Sequence, residues 1–193
     1  MKIDVSTLTP LEMTTPDEWR EWLAEHHTQP DGIWLRFYKK DTGLPSMTYL
    51  QALDEALCFG WIDGQSKSYD ETSWVQKFTP RRPRSLWSKR NRDFVERLIQ
   101  AGKMTPAGQA EIDRAKQDGR WDAAYDAPST MTIPDDFLVA LSKNKKAEAF
   151  FHRLNKSNQY AVAWNLHNAK KEETRLRRMQ KYIEMFERGE KLH

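Results

Sequence analysis

The chain has 193 residues, 38% hydrophobic and 31% charged, with eight Trp, eight Phe and six Tyr; it is long enough for one domain or two small ones and too rich in apolar anchors for wholesale disorder. A lone cysteine, Cys58, excludes an internal disulfide and any zinc site built from several thiolates. The net charge of +3 hides a division: residues 1–71 hold six Lys/Arg against 13 Asp/Glu, whereas residues 72–104 hold nine against two, so one basic patch stands out of the average.

Thr15-Pro16-Asp17-Glu18 reads as a helix start, with a Thr cap, Pro in the first turn and Glu three residues after the cap. Trp19, Trp22, Leu23 and His26 follow at helical spacing. Asp31-Gly32 turns the chain into a strand over Ile33–Lys40, where Ile33, Leu35 and Phe37 alternate with Trp34, Arg36 and Tyr38. Thr48-Tyr49-Leu50-Gln51 is a second capping box, opening a helix that ends at Gly60. Trp61–Lys67 and Trp74–Thr79 flank the polar stretch Ser68–Ser73 and read as a hairpin pairing with the first strand. Beyond Pro83 the signals are helical. Ser88 caps a helix stopped at Gly102, and Thr105-Pro106 opens one stopped near Gly119. Ala127–Thr132 reads as a linker. Helices then follow over Pro134–Ser142, Lys145–Leu154, Ser157–Asn168 and Glu172–Arg188.

These patterns predict an α+β fold: a small antiparallel sheet of about three strands packed with helices, then a helical C-terminal region. The division is a mixed region over 1–126, carrying the basic segment 76–92, and a helical region over 133–193, as two parts or as one compact domain. No apolar run approaches the roughly 20 residues of a membrane span, and the first residues lack the apolar core of a signal peptide. A cytoplasmic protein is expected.

The most unusual segment is Phe78–Asn91, FTPRRPRSLWSKRN. Pro80 and Pro83 stiffen it, which lowers the entropy its arginines lose on binding. It runs into a helix N-terminus, where free N–H groups favour an anion. Arg81, Arg82 and Arg84 offer forked donors, Trp87 a stacking face, and Ser88 and Lys89 the helix start. The functional reading is an anion site for a phosphate, a nucleic-acid backbone or an acidic partner surface. The structural alternative is that these arginines pair with the acidic N-terminal part of the chain. Asp63, in the aromatic, apolar run Leu57–Gly64, is a candidate general acid or base; its alternative is a turn acceptor or a partner for an arginine. Cys58 reads as packing. The histidines form no HExxH or i, i+4 pair, so no metal is expected, and no glycine-rich phosphate loop or GxSxG is present, so no cofactor is expected either.

Taken together, ALCFGWIDG (Ala56–Gly64), QKFTPRRPRSLWSKRN (Gln76–Asn91), MTPAGQAEIDRAKQDGRWDAAY (Met104–Tyr125) and AKKEETRLRRMQKYIEMFERGEK (Ala169–Lys191) resemble the YdeI/OmpD-associated family of bacteria, also labelled bacteriocin-protection proteins. The likeness runs in order from about Trp19 to the C-terminus. It implies a link to envelope stress: tolerance of antimicrobial peptides or bacteriocins, and association with an outer-membrane porin. It supplies no catalytic residue or cofactor.

Three functions are consistent with the sequence. The first is a non-enzymatic binding protein for an anionic ligand or partner, through Arg81, Arg82, Arg84, Trp87 and Ser88. The second is a small-substrate enzyme with Asp63 as acid/base and the arginines holding a substrate anion. The third is an interaction module with an exposed apolar patch around Trp34 and Tyr38.

Overall fold

Local sequence chemistry sets the element boundaries in the computed structural model, which describes residues 5–126, 131–169 and 171–192. Thr15 and Thr48 form complete capping boxes with Glu18 and Gln51, and they open α1 (Pro16–His26) and α2 (Tyr49–Cys58). The Ser88 and Thr105 hydroxyls accept from the N–H groups three residues on and open α3 (Lys89–Gln100) and α4 (Pro106–Gln117). The strands are β1 (Leu11–Glu12), β2 (Ile33–Tyr38), β3 (Trp61–Ser68) and β4 (Ser73–Pro80), and the C-terminal helices are α5 (Asp135–Ser142), α6 (Lys145–Arg153), α7 (Lys156–His167) and α8 (Glu172–Glu187). The protein is therefore α+β.

The sheet has the order β1-β2-β4-β3. β3 and β4 form the predicted hairpin and β2 pairs antiparallel with β4, Leu35 opposite Gln76. The fourth strand, β1, adds parallel to β2 through Leu11 and Glu12 alone. So short a strand shows no alternation, and nothing in the sequence announces it.

The described residues fall into two compact units, Met1–Tyr125 and Asp126–His193. Of the linker read over Ala127–Thr132, residues 127–130 lie outside the described residues. In the first unit α1 and α2 pack on one face of the sheet through Trp19, Leu23, Leu35, Leu53, Trp61 and Phe78, all buried. The indole N–H of Trp19 donates to the Ala52 carbonyl (3.1 Å), and that of Trp61 to the His27 carbonyl (2.7 Å), so these two large core side chains bury no unmet donor. The second unit has its own core, in which Phe137, Phe151, Leu166 and Phe186 join α5, α6, α7 and α8. Among the described residues no helix is long and apolar enough to cross a membrane.

Candidate functional site

The arginines of the basic segment begin where β4 ends. Gly60, at φ +75°, closes α2 in a conformation that a side chain disfavours. Its carbonyl accepts the N–H of Arg81 at 2.9 Å. Pro83 then sits second in a tight turn: Ser85 N–H donates to the Arg82 carbonyl, and Arg82 N–H to Ser85 Oγ, both at 2.9 Å. The Ser88 hydroxyl caps α3, accepting from Asn91 N–H at 3.1 Å. Tyr125 clamps the exit on both sides: its N–H donates to the Trp87 carbonyl and its carbonyl accepts from Lys89 N–H. The segment is a fixed loop, held at both ends by backbone bonds.

Within that frame the three arginines diverge. Arg82 and Arg84 are exposed. Arg81 is only 5% exposed. Its Nη1 donates to the Leu86 carbonyl at 3.1 Å, and its guanidinium carbon lies 3.6 Å from the centre of the Trp87 ring. Its Nε and Nη2 are buried and meet no partner. Those two nitrogens form the edge of the guanidinium that pairs with both oxygens of a carboxylate or phosphate. Burial pulls the Arg81 pKa down to about 10, against the opposing charges of Glu111, Tyr125 and Asp63, and the group stays cationic at neutral pH.

Trp87 holds this arginine in place. It is 2% exposed, and its ring stands 5.0 Å from that of Trp121 with Arg81 over it. A base arriving from solvent therefore finds no open stacking face there. The Trp87 Nε1 is likewise buried without a partner, as is Oε2 of Glu111. Arg120 Nη2 is buried out of hydrogen-bond line but lies 2.8 Å from the Asp118 carboxylate, which pairs its charge. Arg120 also donates from Nη1 to the Ser85 carbonyl at 2.7 Å, bracing the turn.

Among the described residues no ion pair joins the acidic N-terminal part of the chain to the arginines of this turn, although the charge of Asp63 acts on Arg81. Glu12 and Asp70 both pair with Arg36, each at 2.6 Å. Glu55 takes Arg20 and Lys103, and Asp54 takes Arg97. Internal pairing thus accounts for Lys103 and Arg97 of the basic stretch. Among the described residues it reaches none of Arg81, Arg82 and Arg84.

Residues 11–111 match the model of a family described as a domain of unknown function (DUF8412), and residues 130–189 match OmdA, described as Bacteriocin-protection, YdeI or OmpD-Associated. The chain belongs to the DUF8412 family and carries an OmdA domain. No curated protein and no solved structure matches it. The basic turn, Arg81, Trp87 and Glu111 all lie in the DUF8412 part, whereas α5 to α8 lie in the OmdA part. Arg120, Trp121 and Tyr125 fall between the two matches.

Other candidate residues in this DUF8412–OmdA chain sit differently. Asp63 Oδ2 accepts a 2.7 Å bond from the Tyr49 hydroxyl, whose pKa burial pushes up, with Asp63 adding to the shift. Tyr49 lines a cavity of about 240 Å³ beside Tyr38 and Trp74, and a larger one of about 430 Å³ opens between Trp22, His26, Trp34 and Lys77. Asp63 lines neither. Burial pushes the Cys58 thiol up to about 11, which leaves it protonated and unreactive at neutral pH. Trp34 and Tyr38 are half-buried, each with a cation beside its ring, Lys77 at 5.7 Å and Arg36 at 4.7 Å from the ring centres. Among the described residues no three His, Cys, Asp or Glu side chains gather into a metal-holding group. Sequence reading missed Glu111, Arg120 and Tyr125. They stand far from Arg81 along the chain, and no spacing rule links them to it.

Proposed function

We propose that this chain is a non-enzymatic binding protein whose first unit takes an anionic group at Arg81, with Arg82, Arg84 and Lys89 raising the local potential and Trp87 and Ser88 holding the frame. One observation carries the reading: a buried, oriented guanidinium whose two-pronged edge meets no partner. Buried donors are almost always satisfied, and each left unmade costs about 1–3 kcal/mol. A carboxylate or phosphate group on that edge removes the penalty. Because Arg81 occupies the face of Trp87, the reading favours a compact acid group over a stacked base. The OmdA description, bacteriocin protection and OmpD association, supplies a setting and no chemistry.

The rival reading, an enzyme using Asp63, has less support, since Asp63 is engaged by Tyr49 and lines neither cavity. The test is a titration with polyphosphate and with labelled single- and double-stranded oligonucleotides, at low and physiological salt, on the wild type and an Arg82→Ala/Arg84→Ala variant. We expect salt-sensitive binding of the polyphosphate that weakens in the variant. Absence of binding at low salt, by the polyphosphate and by compact acids alike, sinks the reading.

A further inference from the structure

The Arg81 site holds a second unmet group of opposite sign. Glu111 lies midway along α4 with its side chain 14% exposed. Its Oε1 is taken by Arg114 at 2.7 Å, and its Oε2 is buried without a partner. Gly60 links it to the Arg81 backbone, and the Glu111 charge acts on the Arg81 guanidinium. A Cβ built on Gly60 would stand 2.8 Å from Glu111 Cγ, so the Glu111 stem lies directly over a glycine whose carbonyl holds the Arg81 backbone. The two charged groups are built alike. Arg81 is tied at Nη1 and free along Nε and Nη2; Glu111 is tied at Oε1 and free at Oε2. The free indole N–H of Trp87, under the guanidinium, is a further donor.

This pairing restricts the ligand. A bare oxyanion satisfies Arg81 but brings its negative charge toward the Glu111 carboxylate and leaves Oε2 unmet. A ligand with a hydrogen-bond donor beside its acid group satisfies both. We infer that the Arg81 site takes a small amino or hydroxy acid, with the acid group on the Nε–Nη2 edge of Arg81 and the neighbouring ammonium or hydroxyl donating to Oε2 of Glu111. The inference rests on the anion-binding reading above and adds Glu111 as the residue that sets specificity. The bound groups lie out of solvent, so entry displaces the side chains over them.

The test is calorimetric titration of the full chain with matched small acids: acetate and propionate, glycolate and lactate, glycine and alanine. In parallel, the indole N–H resonance of Trp87 is followed by NMR and assigned with Trp87→Phe. Leaving Oε2 unmet corresponds to roughly a 10- to 100-fold loss of affinity. We expect the hydroxy or amino acids to bind that much more tightly than acetate and propionate, and the Trp87 resonance to move with them. Whether glycine or glycolate is the tighter tells ammonium from hydroxyl. Glu111→Gln, which removes the charge and keeps an acceptor oxygen, is expected to weaken binding of the amino acids and to spare that of the hydroxy acids; if that variant fails to fold, the wild-type comparison decides alone. Equal binding of acetate, glycolate and glycine overturns the role of Glu111 and leaves the anion site standing. Heat of binding without movement of the Trp87 resonance places the ligand elsewhere and overturns the inference. No binding by any of the six, with none by polyphosphate, overturns both readings.

Discussion

Arg81 carries a cost that a purely structural residue would not. Its charge is buried, its best pairing edge is unused, and among the described residues its direct contacts are the Leu86 carbonyl and the Trp87 face, with the charges of Glu111, Tyr125 and Asp63 acting on it. Buried charges with incomplete partners are often replaceable by apolar groups without loss of stability. Arg81→Met, which keeps a stem over Trp87, is therefore expected to unfold in urea within about 1 kcal/mol of the wild type, or above it, while losing anion binding. A drop of more than about 3 kcal/mol means that the guanidinium is part of the scaffold. Arg82 and Arg84 were indistinguishable from Arg81 in the sequence, because all three share the same stiff, basic surroundings. Their different fates depend on where β4 ends and on which side chain the Trp87 ring covers.

At the scale of elements, the Asp70 carboxylate ties the turn of the β3–β4 hairpin to Arg36 of β2, beside the backbone ladder that pairs β2 with β4. Asp70 Oδ1 accepts from Thr72 N–H (2.8 Å), from the Thr72 hydroxyl (2.9 Å) and from the buried Ser73 hydroxyl (2.8 Å), and Oδ2 accepts from Arg36. The Ser73 hydroxyl, then the Thr72 groups and Arg36, hold the Asp70 pKa down at about 2, below its ordinary 3.8. A carboxylate lowered in the folded state contributes its full stability above its ordinary value and loses it as pH falls toward the folded one. The window for Asp70 is therefore about pH 4 down to about pH 2. Asp70→Asn is expected to flatten the acid side of the stability profile in that window, measured by urea midpoints at successive pH values. An unchanged slope between wild type and variant would show that the turn bonds do not favour the ionised form. The polar stretch Ser68–Ser73 was legible as a turn because its composition is local. Its bond to Arg36 was not, since Arg36 lies on β2, with all of α2 and β3 between them in the chain.

For the molecule as a whole, each unit buries its own apolar set, one around Trp19, Trp61 and Phe78 and one around Phe137, Phe151 and Phe186. A contiguous core of its own is the requirement for folding alone. Residues 1–125 and 126–193, produced separately, are expected each to unfold in one cooperative transition, and the first to retain the binding of the full chain. A fragment with helical far-ultraviolet signal but no cooperative unfolding would mean that it depends on the other. The family matches divide along the same line, with the candidate site on the DUF8412 side. A binding defect in the isolated first unit would thus separate the chemistry of the site from whatever the OmdA part contributes.

The sequence by itself determined the helix starts, the hairpin and the basic segment. A capping bond from Thr15, Thr48, Ser88 or Thr105 reaches less than one turn of helix, and the alternation along Ile33–Tyr38 is visible within the strand itself. Tertiary structure alone decided that β1 adds to the sheet, that Trp87 turns inward under a buried arginine, and that the Glu111 stem lies over the glycine that holds the Arg81 backbone. Those outcomes follow from hydrophobic burial and from groups that come close although whole helices and strands separate them in the chain. Such forces act on distance in space, which a linear pattern does not encode until the core has closed.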